Sequence, residues 1–235
     1  MLASLSRLFW NAIYYIQVLF SWLNIPSFIY DNVVTKPLTK YTYIKLLERM
    51  KPSIDQFKKV LDVGTGTGRA LYFILDQFAQ DTEIVGIDID KNYISKAKER
   101  FKNCSNVEMR DQNFYALNDS RERYDAIIFS NSFTLMPFRE KAIEIARNML
   151  KPNGKIFFLM ALYEKDKELI ENIKPFVKHY TTIDFGNITY EAEFERMLNN
   201  NGLEMTHKER IFYNWNPLFF LFRIFMVEAQ QVERV

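Results

Sequence analysis

The sequence has little of what metal sites, disulfides and nucleic-acid grooves are made from. One cysteine, Cys104, in 235 residues excludes an internal disulfide, and with only two histidines, His179 and His207, it leaves too few soft ligands for a structural zinc site. No metal is therefore expected, and a reducing, intracellular setting, cytoplasmic or membrane-associated, fits this cysteine usage. A basic excess is also missing. Thirty-one Lys and Arg against 29 Asp and Glu give a formal net charge of +2, which disfavours nucleic acid as the main partner. Repeats and low-complexity stretches are absent, and 48% hydrophobic residues with nearly balanced charge exclude a disordered chain.

Aromatic residues are abundant and gather at the two ends. Residues 1–30 hold eight, residues 211–226 hold seven, and Trp10, Trp22 and Trp215 all lie in these stretches. From Leu8 to Tyr30 nothing is charged. At 100° per residue, Ser4, Arg7, Asn11, Tyr14, Gln17, Ser21 and Asn24 fall on one side of a helix, while Leu8, Phe9, Ile13, Ile16, Phe20 and Leu23 fall largely on the other. This pattern suits a helix lying in a membrane interface, or packed on the domain or a second subunit, better than a true span, and Pro26 ends it. The segment carries no convincing small-residue cleavage site before Pro26, so residues 1–29 read as a retained N-terminal helix and residues 30–235 as the main domain. Lys36, Lys40, Lys45, Arg49 and Lys51 follow, opposed only by Glu48, a balance that favours anionic headgroups or a solvated helix face.

From Lys59 the chain alternates strand-like and helix-like runs. Strands are expected over 60–63, 84–88, 107–109, 126–129 and 156–159, and helices over 69–78, 92–101 and 140–150. Such alternation predicts an α/β fold, a mostly parallel sheet with helices on both faces, whose ligands bind at the carboxyl ends of the strands. In the tail a helix is expected over 189–201, stopped at Gly202, then strands over 204–212 and 218–227. The turn 213–217 lies between those strands, with Trp215 at an edge and Phe220, Phe222 and Phe225 in the core.

The first strand runs directly into Gly64-Thr65-Gly66-Thr67-Gly68, a turn that lets a ligand approach the backbone. Nicotinamide enzymes have a comparable turn. Here, however, Asp62 stands two positions before the first glycine, where a carboxylate repels pyrophosphate and attracts a cation. Asp88, twenty residues after Gly68 at the end of the next strand, is placed to bind both hydroxyls of a ribose. A nucleoside with a positively charged tail satisfies both, and S-adenosylmethionine is such a ligand.

The segment 60–68, Val-Leu-Asp-Val-Gly-Thr-Gly-Thr-Gly, resembles the first motif of the class I S-adenosylmethionine-dependent methyltransferases. Gly86-Ile87-Asp88-Ile89-Asp90 resembles the family's ribose-binding strand end, Arg110-Asp111-Gln112 its adenine-contacting turn, residues 124–133 its fourth strand and active-site loop, and residues 150–155 its turn into the fifth strand. The resemblance covers about residues 55–161. It implies a Rossmann-like sheet of seven strands with the last antiparallel, and S-adenosyl-L-methionine as cofactor. It further implies that Asp62, Gly64, Thr65, Gly66 and Gly68 hold the methionine part, Asp88 and Ile89 the ribose end, and Asp111 and Gln112 the adenine, with Ser130 and Asn131 close to the methyl group. Asp90 reads instead as a cap for the following helix, and Asp111 has a helix-capping or turn-forming alternative.

No catalytic base is evident. His179, between the fifth and sixth strands where this family often places substrate contacts, is the candidate; His207, mid-strand, is expected away from the site, and Tyr30 and Tyr41 are placed to close over the cofactor. Residues 130–133, Ser-Asn-Ser-Phe, are unlike the Asn/Asp-Pro-Pro-aromatic motif of base-amine methylases, and the paired glutamates of arginine methyltransferases are missing there. A small-molecule or lipid acceptor remains, with a protein side chain, a non-catalytic cofactor-binding scaffold and a nicotinamide oxidoreductase as alternatives. The sequence leaves the oligomeric state open.

Overall fold

The computed structural model describes residues 36–163, 188–211 and 224–232. The expected N-terminal helix over 1–29, Tyr30, His179, the turn around Trp215, Phe220 and Phe222 lie outside these residues. The described elements are α1 (Lys36–Ile54), β1 (Lys59–Val63), α2 (Arg69–Tyr72), β2 (Glu83–Asp88), α3 (Lys91–Arg100), β3 (Val107–Asp111), β4 (Tyr124–Ser130), α4 (Arg139–Met149), β5 (Leu150–Ala161), α5 (Glu191–Asn200), β6 (Leu203–Arg210) and β7 (Ile224–Gln231).

The seven strands form one sheet in the order β3-β2-β1-β4-β5-β7-β6. β1 pairs in parallel with both β2 and β4, whereas β7 runs antiparallel between β5 and β6. The order therefore reverses between β1 and β4, the switch point at which a doubly wound sheet opens a crevice at its carboxyl edge. Side chains alternate across the pleat, so each central strand feeds two cores. Leu61, Val63, Ile127 and Phe129 pack with α4 and α5; Val60, Ala126 and Ile128 pack on the other face with α1, α2 and α3.

Helix α1 was not delimited by sequence, although Tyr43, Leu46, Leu47, Met50 and Ile54 make a buried stripe at helical spacing. It runs antiparallel to the central strands: Ser53 Oγ lies 3.1 Å from Lys155 Nζ, and Lys155 pairs with Ala126 near the start of β4. Buried Glu228 on β7 ties the helix down, 2.5 Å from Arg49 Nε and 3.0 Å from Lys155 Nζ. Lys45 pairs with Glu48 at 2.7 Å. Two cations of the basic run, Lys45 and Arg49, thus have anionic partners within the protein.

Other boundaries differ from expectation as well. The helix expected over 69–78 is a single turn, α2, followed by a 3-10 turn, Leu75–Gln77. The described part of the last strand, Ile224–Gln231, runs past the expected end at 227, and the expected start over 218–223 lies outside the described residues. The turn expected at 150–155 is absorbed as an irregular start of β5, where the register moves from Tyr124 opposite Leu150 to Ala126 opposite Lys155.

Candidate active site at the carboxyl edge

The glycine turn is held from below and from the side. Gly64 and Thr65 both donate from their amides to the Ile87 carbonyl, at 2.9 and 3.0 Å, locking the end of β1 against β2. Gly64 has φ +73° and its Cα faces Ser132, so that a Cβ would lie 2.5 Å from the Ser132 Cβ; only glycine permits that approach. Ser132 Oγ in turn donates to the Val63 carbonyl at 2.5 Å, joining the loop after β4 to the end of β1. A Cβ on Gly66, also at positive φ, meets nothing within 4 Å, so the turn opens onto free space at its middle glycine.

Asp88 supports that opening. Its Oδ2 accepts the Gly66 amide at 2.8 Å and its Oδ1 accepts the Asp90 amide at 2.9 Å, which fixes the carboxylate while leaving lone pairs for further donors. Asp111 is paired with Asp88 in the β2–β3 register, its Oδ2 3.8 Å from Lys91 Nζ, and the Gln112 amide donates to the Asp88 carbonyl at 3.0 Å. The capping role that competed for Asp111 belongs to Asn113, whose side chain accepts from the Tyr115 amide. Asp90 is a cap, as expected, accepting from Asn92 and Tyr93. Ile89, 72% exposed, projects beside Asp88 at the mouth.

Asp62 is the anomaly of the region. It is 1% exposed, and no hydrogen bond of ordinary geometry reaches either carboxylate oxygen; the Thr65 hydroxyl lies close to it and the Ser130 hydroxyl close to Tyr43, both short of a well-formed bond. Burial pushes its carboxyl up to about 6; the nearby Thr65 hydroxyl opposes this, and the charge of Asp88 adds to it. By strand alternation Asp62 and Ser130 point to the face covered by α1, where Tyr43 is buried. Burial and the Asp62 charge hold the Tyr43 phenol well above its ordinary value, so it remains a proton donor. Asn131 takes the left-handed conformation, φ 57°, and its amide donates to the Leu159 carbonyl at 2.7 Å, turning the loop out over the sheet edge.

The residues expected at the site that lie among the described ones, Asp62, Gly64, Thr65, Gly66, Gly68, Asp88, Ile89, Asp111, Gln112, Ser130 and Asn131, stand along the carboxyl edges of β1 to β4. His207 sits on β6, opposite Glu228 and at the far side of β7, away from this edge. Tyr41 is on α1 and half-buried, but it is Tyr43 that enters the packing beside Asp62 and Ser130. Tyr43 and Ser132 were missed in the sequence. Tyr43 could have been found from its place one turn before Leu46 and Leu47 on the apolar stripe, while Ser132 lies in the loop motif 130–133 but its contact with Gly64 has no local signal.

A family model described as a methyltransferase domain matches residues 54–202. A protein of Invertebrate iridescent virus 6, named as a proposed methyltransferase, is 27% identical over 158 residues, 63% of this chain and 56% of the viral one. A malonyl-acyl-carrier-protein O-methyltransferase of Halalkalibacterium halodurans is 25% identical over 191 residues, 77% of this chain and 70% of that protein. Among solved structures, an S-adenosylmethionine-dependent methyltransferase from Clostridium acetobutylicum superposes with a TM-score of 0.63 at 15% identity, covering 90% of this chain and 99% of the other, a likeness of fold. The chain spans about half the length, or less, of the first curated relatives it matches.

Proposed function

Because the chain belongs to the methyltransferase-domain family, whose methyl donor is S-adenosyl-L-methionine, we propose that it methylates a small-molecule or lipid acceptor at the carboxyl edge of its sheet. The observation that carries this reading is the unpartnered, buried Asp62 carboxylate beside a glycine turn open at Gly66. A buried anion without partners is costly, and a cationic ligand is its natural complement. A phosphate-bearing dinucleotide fits badly, since Asp62 beside the glycine turn would repel its pyrophosphate.

The group fits the residues present. Asp62 would face its cationic amino-acid end together with the amides of the turn, the spare lone pairs of Asp88 would take ribose hydroxyls, and Ile89, Asp111 and Gln112 would border the base. When bound, S-adenosylmethionine supplies an already activated methyl group for in-line displacement. The protein's share is alignment and exclusion of water. Asn131, held over the sheet edge by its bond to Leu159, and Ser132, bonded to Val63, fix the loop that the acceptor must approach. Tyr43, kept protonated, closes the α1 side of the pocket.

The aromatic-rich termini and the amphipathic pattern of residues 1–29 support an apolar, membrane-resident acceptor and a chain associated with a membrane surface. No helix among the described residues is long and apolar enough to cross a membrane. Incubation of the purified chain with radiolabelled S-adenosylmethionine and either a lipid extract or an aqueous metabolite extract tests the reading. Label entering the organic phase is expected; preferential labelling of aqueous metabolites would overturn the lipid assignment, and no transfer to either would overturn the small-molecule and lipid reading altogether.

A further inference from the structure

Eight large apolar side chains are exposed among the described residues; Val232, past the end of β7, lies at the opposite edge, and Tyr72 and Tyr93 stand on α2 and α3. Ile89 follows the end of β2, Leu135 closes the 3-10 turn after β4, and Phe138 precedes α4; they are 72%, 50% and 68% exposed. Phe138 is braced there, its amide donating to the Tyr115 hydroxyl at 3.1 Å and its ring set edge-on to Tyr115. Ile44 and Phe73 flank the same end. Ile44 is one turn beyond Lys40 on α1, whose Nζ lies 5.6 Å from the centre of the Phe73 ring, and Phe73 directly follows α2, which descends from the glycine turn.

The direction of α1 fixes where the preceding chain joins. Tyr43, near the start of the helix, packs beside Ser130 at the carboxyl end of β4, while Ser53, near its end, reaches Lys155 at the opposite edge. The chain before Lys36 therefore enters the described fold at the carboxyl edge, the edge that carries the candidate site. That chain is the segment whose sequence alternates polar and apolar sides without a charge from Leu8 to Tyr30.

We propose that the carboxyl edge is a bilayer-docking face, on which Ile44, Phe73, Ile89, Leu135 and Phe138 enter the lipid interface alongside the N-terminal segment, so that the site opens directly onto the membrane. The inference rests on the proposed membrane-resident acceptor and adds the orientation in which the protein meets it. The charge pattern selects the kind of surface. Lys45 and Arg49 have partners in Glu48 and Glu228, and Asp88, Asp90 and Asp111 stand on the same edge as Lys40 and Lys91. With signs mixed, insertion of apolar side chains carries the binding, and neither anionic lipid nor low salt is required.

The experiment is flotation of the full chain with phosphatidylcholine vesicles at about 0.1 and 0.5 M salt, with the Debye length falling about twofold over that range. It compares the natural sequence with a Leu135→Ser, Phe138→Ser double variant and with an Ile44→Ser, Phe73→Ser double variant. Flotation of the natural chain at both salt concentrations and a loss of at least tenfold in the partition of each variant are expected, with thermal unfolding and S-adenosylmethionine binding confirming that the variants are folded. If either variant fails to fold, the other decides. A natural chain that stays at the bottom, variants that float as well as it does, or binding abolished by 0.5 M salt would each overturn the proposal. So would loss, in the variants, of a self-association seen by sedimentation without vesicles, which would assign the face to a second copy. A chain that binds S-adenosylmethionine but does not float refutes the docking face alone; one that floats but binds no S-adenosylmethionine refutes the function reading alone.

Discussion

Replacing Asp62 with Asn separates stability from function at one atom. In the free protein the carboxyl is held near 6 rather than its ordinary 3.8, chiefly by burial. A folded-state value raised above the unfolded one means that the native state binds the proton more tightly, so stability falls as pH rises from about 4 through about 6 and the full penalty is present above that window. The difference corresponds to about 3 kcal/mol at neutral pH. At 1% exposure there is little solvent screening to discount it. Asn keeps the shape and removes the charge, while its amide inherits the same lack of partners, so a net gain of about 1–3 kcal/mol is expected near pH 7.5, a rise in Tm of roughly 3–10 °C for a chain of this size. The gain should shrink as pH falls through about 6 and vanish near pH 3, where Asp62 is largely protonated in both states. Binding of S-adenosylmethionine behaves oppositely: the natural chain loses affinity as pH falls through about 6, and the Asn variant is weak at every pH. Thermal unfolding at several pH values alongside calorimetric titration measures both. An Asn variant that is less stable at pH 7.5, or more stable by the same amount at pH 4, would refute the argument, as would undiminished cofactor affinity.

Three further outcomes follow from the packing. Gly64→Ala forces a Cβ against Ser132 at positive φ and should cost about 2 kcal/mol or more, read by urea unfolding, with loss of cofactor binding even where the fold survives. Glu228→Gln leaves Arg49 and Lys155 without their shared anion; because both cations are partly exposed, the expected loss is about 1–3 kcal/mol, below the range for a fully buried pair, and a neutral result would show that α1 is held by its apolar stripe alone. Glu122 is held at about 2 by its bonds to Arg110, so it contributes stability above pH 4.5 that is lost as pH falls towards 2. Acid unfolding of the natural chain should accordingly be steeper in that window than that of Glu122→Gln, followed by circular dichroism; identical curves would remove Glu122 from the account.

Much of the central sheet was legible because its signals are local. Buried strands read as short apolar runs, the glycine turn and the carboxylates at the ends of β1 and β2 are fixed by a few adjacent residues, and the cap at Asp90 is a three-residue affair. What escaped depends on partners distant in sequence. Arg49 and Lys45 looked free because Glu228 stands 179 residues from Arg49 and because a neighbouring acid, Glu48, had been counted against five bases. Tyr43 belongs to a stripe interrupted by charged residues, and only the sheet beneath it shows which face is covered. The helix expected over 69–78 breaks after one turn despite good helical periodicity; Leu71 and Ile74 remain buried across the break, so packing is conserved while the hydrogen-bond ladder is not. Ser132 matters through a glycine 68 positions earlier, a relation visible only once β1 and β4 are side by side.

The most direct test of the account is calorimetric titration of the purified chain with S-adenosylmethionine and with its demethylated product, beside an Asp88→Ala variant that removes the acceptor for the Gly66 amide. Micromolar binding of both ligands by the natural chain, lost in the variant, is the predicted result. A well-folded natural chain that binds neither ligand, or a variant that binds both unchanged, would contradict it.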